Sequence, residues 1–133
     1  MTLLAIEDLA VNFRVEGCNI EAVRGASLTI EKGETVALVG ESGSGKSVMA
    51  LSVLQLLPYP RASHPHGSVR FDGQEMIGAP RADLHEIRGA RISMIFQEPM
   101  TSLNPLHRVE KQITETLTLH EGFGATAARE RAL

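Results

Sequence analysis

A run of eight residues, from Gly40 to Ser47, has the residue types and the spacing of a phosphate-binding loop. It matches the pattern G-x-x-x-x-G-K-[ST] at every fixed position. Glycines let the backbone curl so that several N–H groups point into one anion-binding concavity. Lys46 adds a charge that can reach the β- and γ-phosphates of a nucleotide, and the Ser47 hydroxyl can ligate Mg²⁺. The sequence therefore predicts a nucleoside triphosphate site formed by Gly40, Glu41, Ser42, Gly43, Ser44, Gly45, Lys46 and Ser47.

The segments on either side of the loop are those that such a site requires. Glu34 to Val39 is a short apolar run, typical of a buried parallel strand. Ser47 to Leu57 predicts a helix that Pro58 ends. A helix that begins beside the loop turns the positive end of its dipole toward the phosphates. Strand, glycine-rich loop and helix thus follow one another in the order that the motif needs.

Composition limits the remaining possibilities. The chain has 133 residues, of which 43% are hydrophobic and 22% charged, so it can build the core of at most one domain. A net charge of −3 gives no reason to propose nucleic acid as a partner. No apolar run approaches the ~20 residues of a membrane helix, and no signal peptide is recognisable. The single cysteine, Cys18, is expected to be an inert packing or loop residue.

Before the loop, the pattern predicts two antiparallel strands. Apolar residues alternate from Leu3 to Val15, and a second strand pattern runs from Ile20 to Ile30 with Gly25 as a candidate bulge. Residues 16–19 have turn chemistry, and residues 31–33 form a tight turn into the next strand.

After the first helix, residues 58–67 are expected to be a Pro-rich surface loop, in which His64 and His66 lack the further ligands of a metal site. Further elements are predicted from turn residues and periodicity. They are a strand at Ser68–Phe71 with a turn at Asp72-Gly73, a helical turn at Asp83–Arg88 closed by Gly89, a buried strand at Arg91–Gln97, a loop at 101–106, and helices from about Arg108 to Glu121 and from Ala125 to Leu133.

Two stretches together resemble the ATP-binding subunits of ABC transporters, and more narrowly those of the dipeptide/oligopeptide and nickel import branch. They are residues 40–48 (GESGSGKSV) and residues 88–105 (RGARISMIFQEPMTSLNP). The resemblance covers essentially the whole chain. It implies a P-loop NTPase of the α/β class, an ABC-type nucleotide-binding domain with an antiparallel β layer (1–33) beside a parallel-sheet, phosphate-loop core (34–100) and the start of a helical subdomain (101–133).

The resemblance also implies roles for single residues. Gln97 stands at the family's Q-loop, whose glutamine contacts Mg²⁺ and the attacking water, so Gln97 and Lys46 are the expected catalytic residues. Phe13 stands where the family stacks an aromatic ring on adenine. The alternation of its strand leaves open that Phe13 is a plain core residue. Val48 completes the nucleotide contacts, and ATP and Mg²⁺ are the implied cofactors.

Partners and location follow from the same resemblance. The segment from Glu98 to Leu106 is expected to meet the transmembrane permease subunits, and a second ABC nucleotide-binding domain is expected to form the ATP sandwich. Such subunits are peripheral proteins at the cytoplasmic face of the bacterial inner membrane.

The family pattern has parts that these residues lack. No LSGGQ-type signature, no Walker B strand ending in Asp-Glu and no switch histidine occurs, so the chain is expected to be the N-terminal part of one domain. His85, His107 and His120 are interpreted as surface or helix-face residues. Three candidate functions remain: an energy-coupling subunit of a peptide-class importer, an ATP-binding module without turnover, and a non-transport ABC protein of DNA repair or translation. The segment Glu98–Pro105 argues against the third.

We expect the isolated 133-residue chain to be poorly soluble or only partly folded and to hydrolyse no ATP above background. Orienting the attacking water and completing the Mg²⁺ shell require the carboxylates of a Walker B strand. A phosphate-release assay on the chain and on Lys46→Ala measures this. A monodisperse preparation with Lys46-dependent release on the order of 1 s⁻¹ would contradict the expectation.

Overall fold

The computed structural model describes residues 1–133 apart from the side chain of Pro99. By its contacts the chain divides into two compact units, residues 1–84 and residues 85–133. The strands are β1 (Thr2–Val15), β2 (Cys18–Glu31), β3 (Ala62–Ser63), β4 (Ser68–Phe71) and β5 (Gln74–Glu75). The helices are α1 (Lys46–Val53), α2 (Arg81–Ile87), α3 (Val109–Glu121) and α4 (Ala125–Ala132), with a 3₁₀ turn at Pro99–Thr101. Among the described residues, no helix has the length and apolar character needed to cross a membrane.

Strands β1 and β2 form a long antiparallel hairpin, as the alternation predicts. Leu9 on β1 lies opposite Ala26 and Ala10 lies opposite Arg24, so Gly25 is an extra residue on β2. The φ angle of Gly25 is +111°, a backbone conformation that residues with a side chain rarely adopt. The predicted bulge is therefore confirmed, and it bends the hairpin near its middle.

The first unit is an antiparallel sheet in the order β2-β1-β4-β5, with β3 pairing a further part of β1. The strand Ser68–Phe71 and the turn after it are where the sequence predicts them. Alternate residues of the strands point to one face, and helix α1 contacts β1 and β2. The buried side chains of this unit include Ile6, Leu9, Val11, Met49, Val53, Val69 and Met76.

The Pro-rich segment 58–67 is more ordered than the prediction of a surface loop. Its residues Ala62 and Ser63 are strand β3, which pairs with Phe13 and Asn12 of β1. Ala62 is buried. His64 Nδ1 lies 3.2 Å from the carbonyl oxygen of Ala10, and His66 Nδ1 lies 2.9 Å from that of Asp8. The two histidines thus attach the segment to β1.

Two runs that the sequence predicts as buried strands are not strands in this structure. Residues 34–39 form no ladder, and near residues 91–97 only an isolated bridge joins Arg88 and Ile92. Val39 is 91% exposed and Ile95 is 98% exposed. An apolar strand is stable only where neighbours satisfy its backbone and cover its faces, and neither run finds such neighbours among the described residues. The predicted parallel core is therefore not formed by these residues.

Helix α1 is shorter than predicted, because it ends at Val53 rather than Leu57. Gln55 has a φ angle of +51°, which is incompatible with continuing the helix. Its side-chain amide donates to the carbonyl oxygen of Ser52 at 2.6 Å. Leu54 and Leu57 lie after the end of the helix but are still buried, so these apolar residues are part of the core and do not indicate a longer helix.

The second unit carries the predicted helices. Helix α3 ends before Gly122, whose φ angle is +69°, and the predicted end at Glu121 is confirmed. Helix α4 packs on α3 through the buried Ala128, and Arg129 forms an ion pair of 2.9 Å with Glu110 of α3. The helical turn predicted at Asp83–Arg88 lies in α2 except for Arg88, because α2 ends at Ile87, two residues before Gly89; α2 spans the boundary between the two units.

Glu75 joins β4 and β5 through its carboxylate. The carboxylate accepts hydrogen bonds from the Ser68 hydroxyl and from the N–H groups of Val69 and Ile77, the latter two at 3.0 and 3.1 Å. Burial raises the pKa of Glu75, but these hydrogen bonds and the charge of Arg70 lower that pKa more and leave it below its ordinary value. The ionised form is therefore the one that stabilises the hairpin.

We expect Glu75→Gln to lower the free energy of unfolding near pH 7 by about 1 kcal/mol, and the difference from wild type to shrink below about pH 4. A carboxyl whose pKa is lowered by folding stabilises the fold above its unfolded pKa and loses that contribution as the pH falls through the folded value. Urea unfolding at both pH values measures this. Glu130→Gln, an exposed change on α4, is the control. A difference that does not vary with pH would contradict the assignment.

Candidate phosphate-binding site

The loop from Gly40 to Ser47 leads directly into helix α1. The helix begins at Lys46, and Gly45 before it has a left-handed conformation with a φ angle of +90°. The Gly45 carbonyl oxygen accepts from the Met49 N–H at 2.9 Å, which is the first hydrogen bond of the helix. No side chain caps this helix end, so its free N–H groups and its positive dipole end are directed into the loop.

Strand β2 lies against the back of the loop. A Cβ atom on Gly45 would lie 2.8 Å from the carbonyl oxygen of Ala22 and 3.1 Å from a methyl group of Val23. Both distances are shorter than ordinary van der Waals contacts, so only glycine allows this approach. The sequence predicts the glycine from its motif but gives no signal that Ala22 and Val23 support the loop, because that contact joins segments distant in sequence.

Helix α1 is anchored by its buried face. Met49 and Val53 are buried, and the fully buried Ser52 hydroxyl donates to the Val48 carbonyl oxygen at 2.8 Å. The helix contacts β2 and β1. The loop is therefore held at one end by a packed helix and along its back by a strand, which gives it a defined shape.

The Lys46 ammonium group lies against the loop itself. Its Nζ atom donates to the carbonyl oxygens of Gly40 at 2.7 Å and Glu41 at 2.6 Å, and to the hydroxyl of Ser44 at 3.0 Å. An ammonium group has three donors, so these three oxygens match its full capacity. The positive charge is thus concentrated at the loop, where a phosphate would meet it.

A cleft of about 460 Å³ opens between the loop and β2. Its walls are Gly43 and Ser44 on one side and residues 21–26 on the other. Arg24 on this wall forms an ion pair of 3.4 Å with Glu21.

The other predicted contacts of this unit lie on α1 and β1. The Ser47 side chain is exposed in the first turn of α1, and Val48 is half-buried. Phe13 is half-buried on β1, opposite Ile20 of β2 and Ala62 of β3. The ring is thus neither a fully buried core residue nor a free surface residue, and its stacking role stays a prediction.

Gln97 belongs to the second unit. Its side chain is exposed, and it does not stand at the end of a strand as predicted. Its role toward Mg²⁺ stays a prediction.

The segment after Gln97, residues 98–106, is held by hydrogen bonds to helix α3. The Gln112 side chain of α3 accepts from the Asn104 N–H and donates to the Asn104 carbonyl oxygen, both at 2.9 Å. Three of its apolar side chains nevertheless face solvent, since Met100 is 92%, Leu103 53% and Leu106 88% exposed. An ordered segment that displays apolar side chains is typical of a protein contact.

A glycine-rich loop that leads into a helix, with the lysine at the helix start, defines the class of phosphate-loop nucleotide-binding proteins. Comparison with known families is more specific: the sequence model described as ABC transporter matches residues 23–133. The chain therefore belongs to the ABC transporter family, as its two motif stretches predict.

Curated relatives match the chain over nearly its whole length. The peptidoglycan transport ATP-binding protein YejF of Agrobacterium fabrum is 55% identical over 131 residues, which are 98% of this chain and 24% of that protein. The oligopeptide transport ATP-binding protein OppD of Bacillus subtilis is 44% identical, over 98% of this chain and 37% of that protein. The chain thus spans well under half the length of either relative.

Solved structures agree with the predicted class of fold. The dimeric ATP-binding cassette MJ0796, in a post-hydrolysis state bound to ADP and Pi, is similar with a TM-score of 0.80 and 25% identity. The match covers 98% of this chain and 54% of that chain. The α/β fold of an ABC cassette, present here in part, is confirmed.

We expect Phe13→Ala to weaken ATP binding severalfold and to leave the binding of inorganic triphosphate nearly unchanged. Stacking on a base contributes on the order of 1 kcal/mol, and triphosphate has no base. Competition against a fluorescent ATP analogue measures both ligands. Val15→Ala, on the same strand and about half exposed, is the control. Equal losses for ATP and triphosphate would assign Phe13 to the core instead.

Proposed function

We propose that this chain is part of the ATP-binding, energy-coupling component of an ABC importer for peptides or related small solutes, and that it binds Mg-ATP through its phosphate loop. The observation that carries the proposal is the loop at residues 40–47, backed by β2, with Lys46 at the start of α1. Membership of the ABC transporter family supports nucleotide as the ligand.

Different groups of the loop are proposed to make different contacts with the phosphates. The backbone N–H groups of the loop and of the first turn of α1 donate to phosphate oxygens, and the Lys46 ammonium neutralises the β- and γ-phosphates. The glycine at position 45 supports this fit, because a side chain there would meet Ala22 and push the loop away from β2. Ser47 and Gln97 are the residues proposed to ligate Mg²⁺, which supplies charge neutralisation at the phosphates.

The nucleoside end of ATP is assigned to β1 and α1. Phe13 would present a partly accessible ring to adenine, and Val48 on α1 would contact the nucleotide beside it. The base is then recognised mainly by stacking.

Import of peptides is supported by the names of the relatives, which are transport ATP-binding proteins for peptidoglycan and oligopeptides. We assign residues 98–106 to contact with the transmembrane permease subunits, because Gln112 holds this segment in shape while Met100 and Leu106 stay exposed. A second nucleotide-binding domain is the other proposed partner, in keeping with the dimeric cassette. The whole protein would then work peripherally at the cytoplasmic face of the bacterial inner membrane.

We expect Lys46→Ala to weaken ATP binding about tenfold to a few hundredfold, because a hydrogen bond to a charged group contributes roughly 1.5–3 kcal/mol. Equilibrium titration with a fluorescent ATP analogue measures the affinity. Lys111→Ala removes the same charge from the exposed face of α3 and serves as the matched control. Circular dichroism of each variant confirms that the fold is retained.

The proposal fails if a folded Lys46→Ala chain binds ATP as tightly as wild type. It also fails if Lys111→Ala weakens ATP as much as Lys46→Ala does, because the loss would then reflect net charge rather than the loop.

A further inference from the structure

The Lys46 ammonium contacts two parts of the phosphate loop. Two of its acceptors, the carbonyl oxygens of Gly40 and Glu41, belong to the first residues of the loop. The third acceptor, the Ser44 hydroxyl, lies later in the loop, two residues before the lysine. The Lys46 ammonium therefore connects the first residues of the loop with Ser44.

The Ser44 hydroxyl lies close to the backbone of Gly40. A Cβ atom on Gly40 would lie 2.9 Å from the Ser44 Oγ atom and 3.7 Å from Lys46 Cδ. The absence of a side chain at position 40 thus makes room both for the hydroxyl and for the lysine stem. Gly40, Ser44 and Lys46 pack as one group.

The motif itself does not ask for a hydroxyl at position 44, since this is one of its variable positions. The backbone N–H of Ser44 can serve phosphate whatever its side chain is. The hydroxyl is therefore a feature of this chain that phosphate binding by the backbone does not explain.

We propose that Ser44 is a positioning residue for Lys46. Its hydroxyl completes the set of three oxygens that hold the ammonium beside the loop, where a phosphate oxygen can replace one of them. The functional part of this inference rests on the proposed nucleotide binding. Preorganisation strengthens binding because less freedom is lost when the ligand arrives.

The reactivity of Lys46 tests the inference without any nucleotide. The chain has three lysines, Lys32, Lys46 and Lys111, so reductive methylation followed by peptide mass spectrometry reports Lys46 against two internal standards. We expect Ser44→Ala to speed the methylation of Lys46 about two- to tenfold relative to Lys32 and Lys111. Ser93→Ala removes an exposed hydroxyl outside the loop and should leave the Lys46 rate unchanged. Ser44→Thr retains the hydroxyl and should label slowly.

The positioning role is overturned if Ser44→Ala labels Lys46 at the wild-type rate, or if Ser44→Thr labels it as fast as Ser44→Ala. A second arm adds Mg-ATP and asks whether Lys46 is protected. Protection in wild type, with ATP affinity weakened about two- to fivefold in Ser44→Ala, supports the full inference. Faster labelling of Lys46 in Ser44→Ala without protection by ATP would support the positioning role of Ser44 but contradict the proposed nucleotide binding. Unchanged labelling of Lys46 in Ser44→Ala with protection by ATP would support nucleotide binding but overturn the positioning role.

Discussion

The phosphate loop depends on the close approach of Gly45 to strand β2. At this point the backbone of the loop lies so near the Ala22 carbonyl oxygen that a single additional carbon atom would be at 2.8 Å. The contact determines where the loop ends and where α1 begins, because Gly45 is also the left-handed residue before the helix. The contact with β2 therefore determines where the end of the loop and the N-terminus of α1, which carries Lys46, are placed.

Strand β2 can serve as this support because it is itself firmly held. It pairs with β1 along nearly its whole length, and β1 in turn pairs with β3 and β4. The bulge at Gly25 lies three residues beyond Ala22, so the hairpin bends close to the support of the loop. The same strands carry Phe13 and its cross-strand neighbour Ile20. One hairpin thus carries both the residues that back the phosphate loop and the ring proposed for the base.

The exposed apolar runs show a different constraint. Residues 34–39 and 91–97 have the composition of central strands, yet neither run forms a strand and several of their side chains face solvent. A parallel strand has no stability of its own, since its backbone groups and both of its faces must be satisfied by neighbours. The phosphate loop keeps its shape without a strand before it, because the contact with β2 and the packing of α1 act from the other side.

Much of the local structure was predictable from the sequence by itself. Alternation predicts β1 and β2, helical periodicity predicts α3, and Gly25 and Gly122 mark the bulge and the helix end. The motif predicts the loop and its lysine, and two motif stretches predict the family. Each of these rests on residues close together in the chain. Tertiary structure decided the rest: that β2 supports Gly45, that β3 forms within the Pro-rich segment, that α1 ends at Val53, and that two apolar runs form no strand. These outcomes depend on which distant segments are available as neighbours. The stability of a strand, or of a close approach between two backbones, depends on the neighbouring segment as much as on the residues of the segment itself.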